Sequence, residues 1–176
     1  MNKIWIFGDS FASSKHSYAW TSLLADRGTV INQASNGSSE YRIWKKYHAN
    51  KQLITDNDIV IFCHTSPSRI FLKDNSSLLS RMLPSHPLCD LIVNDIFAKQ
   101  ENRFIKILKE IWDDEYFQDT FDMLVSNLKS VPNSIHLNFF EAGVCNTAWK
   151  DFPGEINHLN ITGNQLVFQH IVKQLP

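Results

Sequence analysis

A serine at position 10 stands directly after an apolar run in "IWIFGDSF", and near the other end of the chain "DFPGEINHLNITGNQLV" holds a carboxylate and a histidine three residues apart, Glu155 and His158. A serine hydroxyl is a weak nucleophile until a neighbouring base takes its proton, and histidine commonly serves as that base. A carboxylate within reach of the ring fixes its tautomer and stabilises the imidazolium that forms. Asp151, with "FPG" between it and Glu155, is the reserve carboxylate. Each feature alone has a plain structural reading: Gly-Asp-Ser turns a chain, a histidine can open a helix, and Asn36 with Gly37 is a common turn pair. The chemistry requires a fold that brings them together.

The pattern along the chain supplies one. Lys3 to Phe7 reads as a strand buried on both faces, and Tyr18 to Arg27 as an amphipathic helix stopped at Gly28, a natural C-cap. Thr29 to Asn32 reads as a second strand, followed by the polar "QASNGSS" and a helix from Glu40 to about His48 with Ile43, Trp44 and Tyr47 on its apolar face. Ile59 to Cys63 is a continuous apolar run of the kind that parallel sheets bury centrally. Ser66 to Asp90 reads as a long irregular excursion, and Leu91 to Trp112 and Tyr116 to Lys129 as helices. Pro132 and Asn133 form a turn, a strand begins at Ser134, and Thr162 to Gln174 is the last helix. Such alternation predicts a single α/β domain over residues 1–176, a three-layer α/β/α sandwich with a central parallel sheet. Ligands of these sheets sit outside the carboxyl ends of the strands, which collects Ser10, Gly37 and His64 to Ser66 at one edge.

In that order and spacing, "IFGDSF", "NQASNGSS" and "EINHLNITGNQL" resemble three of the four signature blocks of the SGNH/GDSL hydrolases, and the resemblance covers the whole domain. It implies a flavodoxin-like fold and an ester-cleaving activity. Matched motif to motif, it makes Ser10 the nucleophile, His158 the base and Glu155 the acid, with the backbone N–H groups of Ser10 and Gly37 stabilising the oxyanion. Two positions depart from the pattern. Where the third strand should end in Gly-x-Asn-Asp the chain has "HTSP", which puts His64 at the glycine and Ser66 at the asparagine. Ser66 is then the third oxyanion donor, although a hydroxyl reaches less far than an amide. Glu155 stands where aspartate is usual and keeps the carboxylate chemistry.

The formal net charge of −1, with acids and bases mixed along the chain, offers no basic stripe for a nucleic acid. Cys63, Cys89 and Cys145 form no C-x-x-C pair, which suggests neither a disulfide framework nor a zinc ribbon. No segment reads as a signal-peptide core or a membrane span, so a cytoplasmic chain is expected. His16, His48, His86, His136 and His170 lack metal-ligand spacing, and neither a metal nor a cofactor is expected. Trp5, Trp20, Trp44 and Trp112 read as packing residues, whereas Trp149, in the loop before Glu155, could touch substrate. Arg69 could reach over the site or stand solvated in its loop.

These observations predict a serine esterase whose partner is a small-molecule or glycan acyl ester, a short acyl group on a carbohydrate being preferred because no long apolar lid segment occurs. An acyltransferase would use the same triad, and a non-catalytic glycan- or protein-binding domain would account for "HTSP" differently. A phosphate-binding or receiver-like domain would need a Gly-rich phosphate loop or an acidic cluster after the first strand, and the chain has neither.

Overall fold

The computed structural model describes residues 2–13, 16–71, 91–92, 103–138, 154–155 and 158–175, of which 91–92, 103–105, 108, 154–155 and 158 are described as backbone. Residues of alternate parity in the first strand, β1 (Lys3–Gly8), enter two different cores. Ile4 and Ile6 pack with Trp20, Leu24, Val167 and Ile171, while Trp5 and Phe7 pack with Ile43, Phe62 and Leu128. A strand sends successive side chains to opposite faces, so an uninterrupted apolar run is stable only where both faces are covered.

Beside β1 lie β2 (Thr29–Asn32) and β3 (Ile59–His64), and β6 (Ser134–Asn138) lies outside β3. The sheet order is β2-β1-β3-β6, and all three pairings are parallel. On one face lie α1 (Trp20–Leu23) and α5 (Ile161–Val172), on the other α2 (Glu40–Asn50) and α4 (Asp114–Lys129). This is the expected three-layer arrangement. Between β3 and α4 come β4 (Arg69–Ile70), β5 (Leu91–Ile92) and α3 (Arg103–Ile111). A short antiparallel pair, β7 (Gly154–Glu155) and β8 (His158–Leu159), precedes α5.

Several boundaries follow local chemistry that periodicity does not carry. The first helix starts at Trp20, not Tyr18, and gives way to a 3-10 turn at Leu24–Asp26. The Trp20 backbone N–H donates to Asn164 Oδ1 of α5 at 3.0 Å, so a tertiary partner serves this helix start. Gly28 is not in the left-handed C-cap conformation; a Cβ there would lie 2.7 Å from the carbonyl oxygen of Asn2, the residue before β1, so glycine is required by that close backbone approach. Leu91 and Ile92 are a strand rather than the start of a helix, because the chain returns there to pair with Ile70 and Arg69. Trp112 lies between α3 and α4, half-buried and stacked on Phe117. Asp113 caps α4 by accepting from the amides of Glu115 and Tyr116, and Asn160 caps α5 by accepting from Gly163.

Gly8, the last residue of β1, faces Cys63 in the sheet. A Cβ at Gly8 would meet Cys63 Cβ at 2.6 Å and Ala12 Cβ at 3.0 Å, neither of them the far end of a flexible side chain. Gly8→Ala is therefore expected to destabilise the fold by about 2–3 kcal/mol, the cost of overpacking a closed interior. Urea unfolding would show this as a lower midpoint at unchanged slope, and a change below about 0.5 kcal/mol would contradict it.

Candidate active site

The turn after β1 places Asp9 and Ser10 in opposite environments. Asp9 is fully buried, whereas Ser10 is half-buried. Asp9 Oδ1 accepts from the Phe11 amide at 3.0 Å and Oδ2 accepts from the Thr65 hydroxyl at 3.1 Å. The Ala12 amide donates to the Asp9 carbonyl at 3.1 Å, closing the turn around Ser10. A short polar side chain bonded to the backbone two residues on is what makes aspartate a turn-former. Trp20 Nε1 donates to the Phe11 carbonyl at 2.8 Å, which fixes the far side of the turn to α1.

The loop after β2 is tied to the same strand end. The Ser35 amide donates to the Gly8 carbonyl at 3.1 Å, Asn32 Nδ2 donates to the Ala12 carbonyl at 2.7 Å, and Ser13 Oγ bonds Asn36 Oδ1. Lys46 Nζ from α2 donates to the Gln33 carbonyl and to Ser35 Oγ at 2.7 and 2.8 Å. Gly37 is buried and has φ 66°, a left-handed conformation that glycine adopts without strain. The structure therefore brings the Ser10 turn and the Gly37 loop to one edge of the sheet.

The third loop differs more from the expectation. Ser66 Oγ accepts from the Ser68 amide at 3.2 Å, and the Ser66 carbonyl accepts from the Arg69 amide at 3.2 Å, so Ser66 is engaged in its own turn. Arg69 is not solvated: its side chain is 9% exposed, with Nη2 standing 3.7 Å from Asp9 Oδ2. His64 is not part of a polar loop but the last residue of β3, fully buried.

His64 opens onto a line of polar side chains that the sequence reading did not assemble. Glu40, the first residue of α2 and 4% exposed, takes His64 Nδ1 on Oε1 at 2.8 Å and the Thr65 amide on Oε2 at 3.2 Å. His64 Nε2 meets His136 Nδ1 of β6 at 2.9 Å, and His136 Nε2 meets Ser134 Oγ at 2.9 Å. Ser134 donates its single proton to the Val131 carbonyl at 2.6 Å, so its oxygen accepts from His136 Nε2. Burial, with His64 and Lys129 nearby, pushes the His136 ring down to about 3, and a neutral ring protonated on Nε2 offers only a lone pair on Nδ1. The hydrogen-bond network thus assigns the proton between the two rings to His64, and a further proton to the Glu40–His64 contact. That line runs from Ser134 through His136, His64, Glu40 and Thr65 to Asp9, ending behind Ser10. Strand parity was the available signal: His64 follows Phe62 by two residues and shares its core face, where a polar group needs a buried partner.

Burial pushes the Asp9 carboxyl up to about 6, against the lowering influence of Arg69, the Phe11 amide and the Thr65 hydroxyl. Between the ordinary value of 3.8 and about 6 the folded chain keeps a proton that the unfolded chain releases, so this group's contribution to stability is lost as pH rises through that window. His136, lowered from 6.5, acts in the opposite sense, since the unfolded chain takes its proton first as pH falls. Comparing the parent with Asp9→Asn isolates Asp9, because His136 is common to both. From about pH 4 to about pH 7 the parent is expected to lose about 2–3 kcal/mol relative to Asp9→Asn in urea unfolding. A constant difference would show that Asp9 ionises at its ordinary value.

Glu155 and His158 oppose each other across the β7–β8 pair, a hairpin rather than the open loop expected. Asn164 of α5, itself buried, donates to the Leu159 and Asn160 carbonyls at 3.0 and 2.9 Å, which anchors this hairpin to α5 and, through Trp20, to α1. Asp151 and Trp149 lie outside the described residues, as do the side chains of Glu155 and His158. Among the described residues no helix is long and apolar enough to cross a membrane.

A parallel sheet covered by helices on both faces, with polar loops gathered at the carboxyl ends of β1, β2 and β3, defines a doubly wound α/β protein. No family model matches the chain, and no curated protein matches it. Solved structures do. The chain is similar to the psychrotrophic esterase EstA from a Pseudoalteromonas species, at 16% identity and a TM-score of 0.45 over 99% of this chain and 96% of that one. It is similar to a lipase/acylhydrolase from Enterococcus faecalis, at 16% identity and a TM-score of 0.47 over 99% and 95%. A member of the lipolytic G-D-S-L family from Veillonella parvula shares 13% identity with a TM-score of 0.48 over 98% and 97%. At these identities and scores, no residue takes a role from them.

Proposed function

We propose that this chain is a serine esterase of the SGNH/GDSL type, cleaving a short acyl group from a carboxylic ester, with an acylated carbohydrate as the preferred substrate class. The reading rests above all on the turn after β1, where Asp9 is locked inward by the Phe11 amide and Thr65 while Ser10 is left half-buried at the sheet edge. Support comes from the opposed register of Glu155 and His158, since residues directly opposite in an antiparallel pair have Cβ atoms about 4.5–5.5 Å apart. A carboxylate at that separation can reach the imidazole.

In this reading His158 removes the Ser10 proton as Oγ attacks the ester carbonyl, and Glu155 holds the ring and stabilises the imidazolium. The carbonyl electron pair moves onto oxygen, where the backbone N–H groups of Ser10 and Gly37 stabilise it. Collapse expels the alcohol, which takes the proton from His158, and water then cleaves the acyl-enzyme by the same steps. The test is covalent. A fluorophosphonate probe should label the protein at Ser10, seen as one adduct on the peptide containing "GDSF", and p-nitrophenyl acetate should turn over. A protein that takes no label and shows no turnover would replace this reading with that of a binding domain.

A further inference from the structure

The third strand ends without the asparagine that the resemblance leads one to expect, and Ser66, at that position, is turned into its own loop. From this side two groups reach Asp9, the residue before Ser10: the Thr65 hydroxyl, which donates to it, and the Arg69 guanidinium. Of these Arg69 has capacity to spare. Its side chain is 9% exposed and its Nε is buried with no hydrogen-bond partner among the described residues. A buried donor of a charged group is costly to leave unmet, so an acceptor supplied from outside the described chain is the natural completion. The guanidinium is also not spent on Asp9. Nη2 stands 3.7 Å from Asp9 Oδ2, beyond hydrogen-bond length, where a dedicated ion pair would show the short, paired contacts that arginine and a carboxylate form.

Position selects the acceptor. Arg69 is held by the turn that closes on the Ser66 carbonyl and by the two-residue pairing with Leu91 and Ile92, and it packs on the residue that immediately precedes Ser10. The carboxyl ends of β1 and β3 are adjacent, Gly8 opposite Cys63, so the loops carrying Ser10 and Arg69 leave neighbouring strands at the same edge. We propose that Arg69 supplies the third oxyanion donor of this site, its Nε–H bonding the oxygen that becomes negative when Ser10 attacks, in place of the missing asparagine; this rests on the esterase reading above. The bond from Oγ to the carbonyl carbon forms, the π pair moves to oxygen and the proton passes to His158. Arg69 donates a hydrogen bond and keeps its proton throughout, as its permanent charge requires.

Arg69→Met removes donor and charge, and Arg69→Lys keeps a cation beside Asp9 while losing the Nε–H. With p-nitrophenyl acetate, Arg69→Met is expected to lower kcat about 100- to 1000-fold with little change in KM, the loss typical of one oxyanion donor. Arg69→Lys is expected to remain at least about tenfold below the parent. The Ki of phenylboronic acid, which forms a tetrahedral adduct on an active serine, should rise in step with the fall in kcat/KM, a parallel that a merely structural role would not produce. Urea midpoints control for folding, and if Arg69→Met does not fold, Arg69→Lys carries the test. Parental turnover in either folded variant, full rescue by lysine, or an unchanged boronate Ki would overturn the assignment while leaving the esterase reading intact. A parent chain that neither turns over nor takes the phosphonate label would remove both.

Discussion

Ser10→Ala and His158→Ala are each expected to lower kcat for p-nitrophenyl acetate by about 10⁴- to 10⁶-fold, and the double variant by no more than the worse of the two. The reason is that nucleophile and base act in one step. Without the hydroxyl, His158 has no nucleophile to deprotonate, and without the ring, Oγ attacks as a neutral alcohol. Each single change removes the whole step, so the second removes nothing further. What survives is stabilisation of the oxyanion during attack by water, for which the backbone amides of Ser10 and Gly37 remain in place. Multiplicative losses in the double variant would mean that the two residues act independently and do not form a catalytic pair. A Glu155→Gln variant should fall between parent and Ser10→Ala, because a carboxylate that holds the imidazole contributes less than the groups exchanging the proton.

Much of the fold could be read in advance because it is dictated by apolar runs. Ile4 to Phe7 and Ile59 to Cys63 are apolar without a break and occupy the two inner strands, where both faces are covered. Ile43, Trp44 and Tyr47 recur at helical spacing and do face the β1 and β3 side chains of one core. Because polar loops meet at the carboxyl ends of parallel strands, the sequence pattern gathers Ser10, Gly37 and Ser66 at one edge. Failures share a cause, which is pairing between distant segments. Leu91 and Ile92 look helical in a local window and become a strand only because Arg69 and Ile70 lie beside them. Glu40 has the position of an ordinary exposed charge in the first turn of a helix, and His64 and His136 have no spacing that links them. Their convergence is a property of sheet order, since β6 must lie against β3 before His136 can face His64. The same holds for Arg69, which meets Asp9 because β1 and β3 are neighbours in the sheet.

Glu40→Ala is expected to cost about 3–5 kcal/mol of stability, because it leaves a buried partner without its counter-group. Both oxygens are in use: Oε1 meets His64 Nδ1 and Oε2 takes the Thr65 amide. Alanine strands both at once, and Thr65, no longer held, ceases to fix Asp9 behind Ser10. Glu40→Gln separates charge from hydrogen bonding. Its carbonyl oxygen can accept from the Thr65 amide and its amide can donate to His64 Nδ1, while a neutral His64 still donates from Nε2 to His136. Every hydrogen bond is kept and one proton leaves the line. The remaining cost is the favourable interaction of a carboxylate with the N-terminus of α2, about 0.3–2 kcal/mol. Urea unfolding of the two variants decides the matter: a glutamine variant close to the parent, well above alanine, fits a proton shared between Glu40 and His64. If glutamine is as damaging as alanine, the amide does not fit the pattern of donors and acceptors, and the proton order along His136, His64 and Glu40 must run the other way.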